Sequence, residues 1–204
     1  MTAVLTGVTG GIGSGKSVVC RICALAGVPV YDCDTRAKDL MRGDARLKHF
    51  IISEVGEAAY TPDESLDTAY ISRRIFADHI IRRRIEAKVH HAVREDIDLW
   101  RMQNCHDAPL ALVESAILHT SGLDAVVDAI WLVDAPLHIR MERVKARSAL
   151  SEEQILQRIA AQQQEFDNLP SDKMLRVDNS GNTPLLPSIE ALLIRAGLDI
   201  KQQF

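Results

Sequence analysis

The chain has 204 residues, of which 47% are hydrophobic and 25% charged, the balance of an ordinary folded domain long enough to bury a sizeable core. Its formal charge of −4, from 24 basic and 28 acidic residues, argues against non-specific nucleic-acid binding. No apolar run approaches the ~20 residues needed to cross a membrane, no basic region followed by an apolar segment suggests a secretory signal, and four cysteines do not make a disulfide scaffold, so the reducing cytoplasm is the expected setting.

Residues 3–8 read as a short strand that feeds the chain into Gly10-Gly11-Ile12-Gly13-Ser14-Gly15-Lys16-Ser17. This is G-x-x-x-x-G-K-[ST] without a mismatch, after a strand and before a helical pattern. Its glycines permit positive φ and remove side chains that would block a phosphate. Successive backbone N–H groups can then form an anion nest, reinforced by the positive end of the following helix. Gly11, Ile12, Gly13, Ser14, Gly15, Lys16 and Ser17 are therefore the expected triphosphate-binding residues. Lys16 would reach the outer phosphates and the Ser17 hydroxyl would ligate Mg²⁺. A dinucleotide-binding G-x-G-x-x-G fails, because counting from Gly11 its third glycine would fall on Lys16.

Residues 17–26 read as a helix with apolar Val18, Val19, Ile22 and Leu25, closed by Gly27. Cys20 and Cys23 within it form C-x-x-C with no second ligand pair, so they are expected to be buried thiols rather than zinc ligands. Val28–Tyr31 is a second short strand, and Asp32-Cys33-Asp34 follows it. Strand, loop, helix and strand make a βαβ unit, which predicts an α/β fold with a parallel sheet and flanking helices. In such a sheet ligands bind at the carboxyl ends of the strands, so Asp32 and Asp34 are expected on the rim that carries the phosphate loop.

Residues 35–105 carry helical patterns over about 35–41, 45–54, 68–77 and 79–104, with a weak strand candidate near 55–61. A block this long exceeds a βαβ crossover and reads as an inserted helical subdomain. Within it Arg73, Arg74, Arg82, Arg83, Arg84, Lys88 and Arg94 face only Asp78 and Glu86. They form either a solvated helix face or a wall for a phosphate-rich substrate. The sheet resumes at Pro109–Val113 and ends in Glu114, which either orients the water shell of a metal ion or caps the following turn. Ile130–Asp134 is a fourth strand. The helix from about 137 to 146 has an apolar stripe of Leu137, Met141 and Val144, beside a cationic stripe of Arg140, Arg143 and Arg147. Ser151-Glu152-Glu153-Gln154 is a capping box for a helix running to about Phe166. Met174–Asp178 is a last strand, and residues 184–196 form a closing amphipathic helix. Internal repeats and low-complexity segments are not visible.

A phosphate loop alone does not distinguish a kinase from a switch or a motor. The D-x-x-G and N-K-x-D of a GTPase do not occur, and Leu110–Glu114 resembles the second motif of a mechanical ATPase only loosely. The chain does have a carboxylate pair after the second strand and a late arginine helix, which are the parts a kinase needs.

Thr9–Ser17, Asp32-x-Asp34, Arg143-x-x-x-Arg147, Arg158-Ile159-Ala160-Ala161-Gln162 and Asp178-Asn179-Ser180-Gly181, in that order, resemble the dephospho-coenzyme A kinase family. The resemblance implies a P-loop NTPase-type three-layer fold. It divides the chain into a nucleotide-binding core (1–34, 108–136 and 167–204), a helical CoA-binding domain (35–107) and a lid (137–166). It implies transfer of the γ-phosphoryl of ATP to the ribose 3′-hydroxyl of dephospho-CoA, with Mg²⁺, in the cytoplasm and without nucleic-acid or membrane partners. Carried over by residue, Lys16 and Ser17 hold phosphate and Mg²⁺, with Glu114 acting on the metal through water. Asp34 is the base, although alternation along a short extended segment points Asp32 and Asp34 the same way and does not choose between them. Arg143 and Arg147 belong to the lid side, Asn179 lies near the adenine pocket, and Asp32, Asp34, Arg84 and His90 contact substrate. The family often has His-Pro where this chain has His90-His91, and a Gln where it has Arg140. For His90 a helix-packing role stands beside substrate contact. Two other functions fit the loop alone: another small-molecule P-loop kinase acting on a nucleoside, nucleotide or shikimate-like alcohol, and a nucleotide-dependent regulator.

Overall fold

In the computed structural model, which describes residues 3–198, every residue of strand β1 (Val4–Thr9) after Val4 is buried. Such a run does not alternate because the strand has neighbours on both sides and cover on both faces. The sheet has five parallel strands in the order β2 (Val30–Asp32), β3 (Leu110–Glu114), β1, β4 (Ala129–Asp134) and β5 (Met174–Asp178). β1 is therefore central, with Val8 opposite both Glu114 and Trp131. On one face Val8, Leu110, Leu112 and Val133 pack with Val19, Cys20 and Cys23 of helix α1 (Lys16–Leu25) and with Ile189 and Leu193 of the closing helix. On the other, Leu118 presses so close to Gly7 that a Cβ there would lie 2.9 Å from its methyls. The cysteines expected to be buried are buried and form no disulfide, and burial pushes the Cys23 thiol up to about 12. Val18 and Leu25, expected on the apolar face of α1, are instead exposed at 52% and 72%.

The chain divides into two compact units, one running up to Tyr31 and resuming at Trp100, the other spanning Asp32–Leu99. Residues 1–2 and 199–204 of the expected core segments lie outside the described residues. The second unit holds α2 (Cys33–Gly43), α3 (Ala45–Val55), α4 (Thr68–Ala77) and most of α5 (His79–Asn104). Aspartates start its first three helices: Asp32 and Asp44 each accept two first-turn backbone N–H groups and Asp67 accepts one. Leu47, Ile51, Val55, Ala59, Ile71 and Ile85 form its core. The weak strand candidate near 55–61 does not form. Gly56, at φ 100°, ends α3, a 3₁₀ turn covers Glu57–Ala59, and Tyr60 makes only an isolated bridge to Leu66. The Tyr60 hydroxyl donates to Met41 O at 2.6 Å, tying this segment to α2 rather than to a sheet.

In the first unit β4 leads to α6 (Leu137–Arg147), and β5 to α9 (Leu185–Arg195). The capping box at Ser151 and Gln154 is present, with both reciprocal bonds made. The single helix expected to reach Phe166 is two, α7 (Glu152–Ala161) and α8 (Gln163–Asp167), divided at Gln162. Glu165, on the short second piece, is buried and accepts the N–H groups of His119 and Thr120 in the turn after β3.

Ile51 is wholly buried among the helices of the second unit. Ile51→Ala is expected to cost about 2–5 kcal/mol of that unit's stability through lost burial and the residual cavity. Urea unfolding followed by far-ultraviolet circular dichroism measures it.

Candidate active site

The turn from β1 into α1 sits at the carboxyl end of the central strand. Gly13 and Gly15 have φ of 81° and 96°, in the left-handed region that β-carbons disfavour. Space forbids a side chain there as well: a Cβ on Gly13 would lie 2.5 Å from Arg140 O, and one on Gly15 would overlap the Asn179 amide. Helix α1 begins at Lys16 without a side-chain cap. The N–H groups of Gly13, Gly15, Lys16 and Ser17 have no hydrogen-bond partner among the described residues. They are a set of first-turn donors of the kind that holds phosphate.

The carbonyls of the loop, by contrast, are taken. Arg140 Nε donates to Ile12 O at 3.0 Å, Arg143 Nη1 lies 3.5 Å from Gly13 O and 3.4 Å from Ser14 O, and Asn179 Nδ2 donates to Ser14 O at 2.7 Å. Arg143 Nη2 also donates to Asn179 O at 2.9 Å, and Asn179 N to Asp134 O at 2.8 Å. In a trans peptide the carbonyl and the following N–H point opposite ways. Fixing the carbonyls of Ile12 and Ser14 therefore turns the N–H groups of Gly13 and Gly15 to the other side.

Ser17 Oγ donates to Glu114 Oε1 at 2.7 Å, across from the first turn of α1 to the end of β3. A hydroxyl and one carboxylate beside a phosphate nest suit Mg²⁺, which takes few protein ligands and completes its shell with phosphate and water. Among the described residues no cluster of three or more His, Cys, Asp or Glu offers an all-protein metal cage. Three buried side-chain atoms around the loop have no partner among the described residues: Thr9 Oγ1, Ser14 Oγ and Arg140 Nη2. Such atoms gather where a polar ligand completes the set.

The structure thus brings together Gly11–Ser17, Glu114, Arg143 and Asn179. Arg147 stands exposed at the last residue of α6. Asp32, Asp34, Arg84 and His90 belong to the second unit. There Asp32 accepts from Asp34 N at 3.0 Å, Thr35 N at 3.2 Å and Thr35 Oγ1 at 2.7 Å, so its carboxylate is occupied as the cap of α2. Asp34, in the first turn of that helix, is exposed, and its carboxylate has no partner among the described residues. Arg84 is paired at 2.8 Å with Glu54, whose side chain is 8% exposed, and His90 is half-buried on α5. Sequence reasoning gave Gln162 no role, yet its Oε1 accepts the Ile12 N–H at 2.8 Å. The run Gln162-Gln163-Gln164 fits an uninterrupted helix and carries no signal that its first member leaves it.

The sequence profile described as dephospho-CoA kinase matches residues 4–184. A dephospho-CoA kinase of Porphyromonas gingivalis is 37% identical over 162 residues, 79% of each chain. A crystal structure from Thermus thermophilus, 31% identical, superposes with a TM-score of 0.75 over 98% of this chain and 100% of its own. A dephospho-CoA kinase from Campylobacter jejuni, at 18% identity and a TM-score of 0.66 over 95% of this chain and 96% of its own, shares the fold.

Gly15→Ala places a β-carbon on the Asn179 amide at a backbone φ of 96°. The chain is expected to fold, while its affinity for a nucleoside triphosphate falls by about tenfold or more, or about 1.4 kcal/mol. Calorimetric titration of the purified variant beside the wild type checks it.

Proposed function

The chain belongs to the dephospho-CoA kinase family, and from that premise we propose how its residues carry the transfer of the terminal phosphoryl group of ATP to the ribose 3′-hydroxyl of dephospho-CoA. The observation that carries the reading is the phosphate loop with its N–H groups unspent and its carbonyls held from behind. In this reading the N–H groups of Gly13 and of Gly15–Ser17 hold the phosphates and Lys16 reaches the outer ones. Asn179, lying on the Ser14–Gly15 arm of the loop, marks the nucleoside side. Ser17 and Glu114 would hold Mg²⁺, Glu114 through water, and the bound ion would neutralise charge on the β- and γ-oxygens.

Asp34 is the base. Its support is the division of labour between the two aspartates, since Asp32 is spent on the helix cap while Asp34 is open to solvent. The 3′-oxygen forms a bond to the γ-phosphorus as the bond from that phosphorus to the β–γ bridging oxygen breaks. The hydroxyl proton passes to the Asp34 carboxylate, and ADP and coenzyme A leave. Arg147 is proposed to stabilise the charge spread over the transferred group, and Arg143, whose Nη1 and Nη2 hold the carbonyls of Gly13, Ser14 and Asn179, to add its positive charge from behind the loop. Asp32, Arg84 and His90 are proposed to line the dephospho-CoA side. The setting we propose is cytoplasmic, supported by four buried cysteines, none of which forms a disulfide. No helix among the described residues is long and apolar enough to cross a membrane.

Purified protein with MgATP is expected to release ADP rapidly only when dephospho-CoA is added. Release without an acceptor, or with another alcohol in preference, would overturn the substrate assignment. Asp34→Asn keeps the shape of the side chain but removes the proton acceptor, so kcat is expected to fall by about 10²–10⁴ with ATP binding nearly unchanged. A larger loss from Asp32→Asn, with Asp34→Asn almost silent, would exchange their roles. Arg147→Lys replaces a planar fork with a point charge. Its kcat is expected to fall by more than about tenfold, within the range that transition-state arginines supply, at little change in Kd for MgATP. An unchanged kcat removes Arg147 from the site.

A further inference from the structure

Asp34 sits in the first turn of a helix that packs mainly by its other end. Cys33 is the one buried residue of α2, while Asp34 and Thr35 beside it are exposed. The bonds of the Asp32 cap close the first turn on itself, which fixes its shape but not its place in the unit. Leu40 and Met41 pack against the core of the unit, and the Tyr60 hydroxyl holds Met41 O, all in the second half of the helix. A side chain ties down the first half. Arg36 Nε donates to Asp96 Oδ2 at 2.9 Å, and Arg36 Nη2 donates to Asp96 Oδ1 at 2.7 Å and to Oδ2 at 2.8 Å.

Asp96 is a firm anchor. It stands on α5 next to Ile97 and three residues after Val93, both buried, and its own side chain is 15% exposed. A guanidinium fork that meets both oxygens of a carboxylate fixes direction as well as distance. Successive residues of a helix turn by about 100°, so Asp34 and Arg36, two apart, project to nearly opposite sides of α2. Drawing Arg36 onto α5 therefore sets the rotation of α2 about its own axis. It turns Asp34 to the open side, where its carboxylate is exposed and without a partner among the described residues. A reacting group displaced by about 1 Å loses on the order of 10² in rate, so the aim of a base depends on whatever holds its helix in place.

We infer that Asp96, acting through Arg36, is a positioning residue that aims the Asp34 carboxylate at the acceptor hydroxyl. Neither Asp96 nor Arg36 touches substrate in this role. The inference rests on the reading of Asp34 as the base, and substitutions of Asp96 made with and without the Asp34 carboxylate separate the two.

Wild type, Asp96→Ala, Asp96→Asn, Arg36→Met, Asp34→Asn, Asp34→Asn combined with Asp96→Ala, and Ile51→Ala are compared in kcat, KM for dephospho-CoA, Kd for MgATP and melting temperature. Asp96→Ala removes both acceptors of the fork, so kcat is expected to fall by about tenfold or more, with KM and Kd within about threefold of wild type. Arg36→Met is expected to show the same split, and Asp96→Asn, which keeps one acceptor oxygen, to lose less than Asp96→Ala. Because Asp96 acts through Asp34, the double variant is expected to match the kcat of Asp34→Asn alone within about threefold. Ile51→Ala weakens the same unit without touching the pair, and below its melting temperature its kcat stays at the wild-type value. A wild-type kcat in Asp96→Ala, or losses that multiply in the double variant, overturn the positioning role. A loss in Ile51→Ala as large as that in Asp96→Ala overturns it too, and leaves the pair as a stabilising contact alone. Should Asp96→Ala fail to fold, Arg36→Met, alone and with Asp34→Asn, decides by the same two outcomes. A wild-type kcat in Asp34→Asn overturns the reading of the base instead.

Discussion

Donors left unpaired on purpose set the terms for the rest of this site. A backbone N–H out of water normally finds a carbonyl, because leaving it unmade costs more than a made bond returns. At Gly13 and at Gly15–Ser17 the chain leaves the donors free, and it does so by engaging the other side of the peptides. Arg140, Arg143 and Asn179 bind the carbonyls of Ile12, Gly13 and Ser14. Positive φ at Gly13 and Gly15 lets the backbone curl around the point the N–H groups face. The phosphate nest is thus a property of the sheet's carboxyl edge as a whole. Its shape is imposed from β4–α6 and from the turn after β5 as much as from the glycines.

The same logic reaches the neighbouring strand. Glu114 ends β3 and accepts from Ser17 at 2.7 Å. The turn that follows it is held by Glu165, a carboxylate 5% exposed that accepts the N–H groups of His119 and Thr120. Glu165 stands three residues beyond Gln162, which grips Ile12. The α7–α8 break therefore anchors two loops at once, the one after β1 and the one after β3. A displacement of this segment acts on the phosphate nest and on the Ser17–Glu114 pair together.

Much of this was legible in the amino-acid sequence because the strongest signals are local. The loop pattern, the apolar runs of β1, β3 and β4, the capping box at Ser151 and the long helix over 79–104 each depend on residues close in sequence. The losses came where a distant group decides. Val18 and Leu25 fit an apolar stripe but face solvent, since α1 buries Cys20 and Cys23 against the sheet instead. The segment after α3 has strand-like composition, yet Gly56 turns it and Tyr60 reaches Met41, so no neighbouring strand is available to pair with. Gln162 is an ordinary helix residue by propensity and leaves the helix with its amide engaged by Ile12. Alternation could not separate Asp32 from Asp34. The side-chain bonds assign Asp32 to the cap of α2 and leave the Asp34 carboxylate without a partner among the described residues.

The atoms left without partners show where this fold trades stability for binding. Of the four buried side-chain atoms without a partner among the described residues, three (Thr9 Oγ1, Ser14 Oγ and Arg140 Nη2) flank the phosphate loop, and the fourth is Arg101 Nε. Each unsatisfied buried group costs on the order of 1–3 kcal/mol, a large share of the about 5–15 kcal/mol that holds a domain folded. A ligand rich in acceptor oxygens supplies partners for the free N–H groups of the nest, so part of the cost of leaving them unmade returns as affinity. Binding confined to the folded state then raises stability in proportion to the logarithm of nucleotide concentration over Kd. The loop is consequently the place where occupancy and folding stability are most tightly linked. Side chains that hold its carbonyls, though they come from another part of the chain, are the ones through which that linkage passes to α6, α7 and α8.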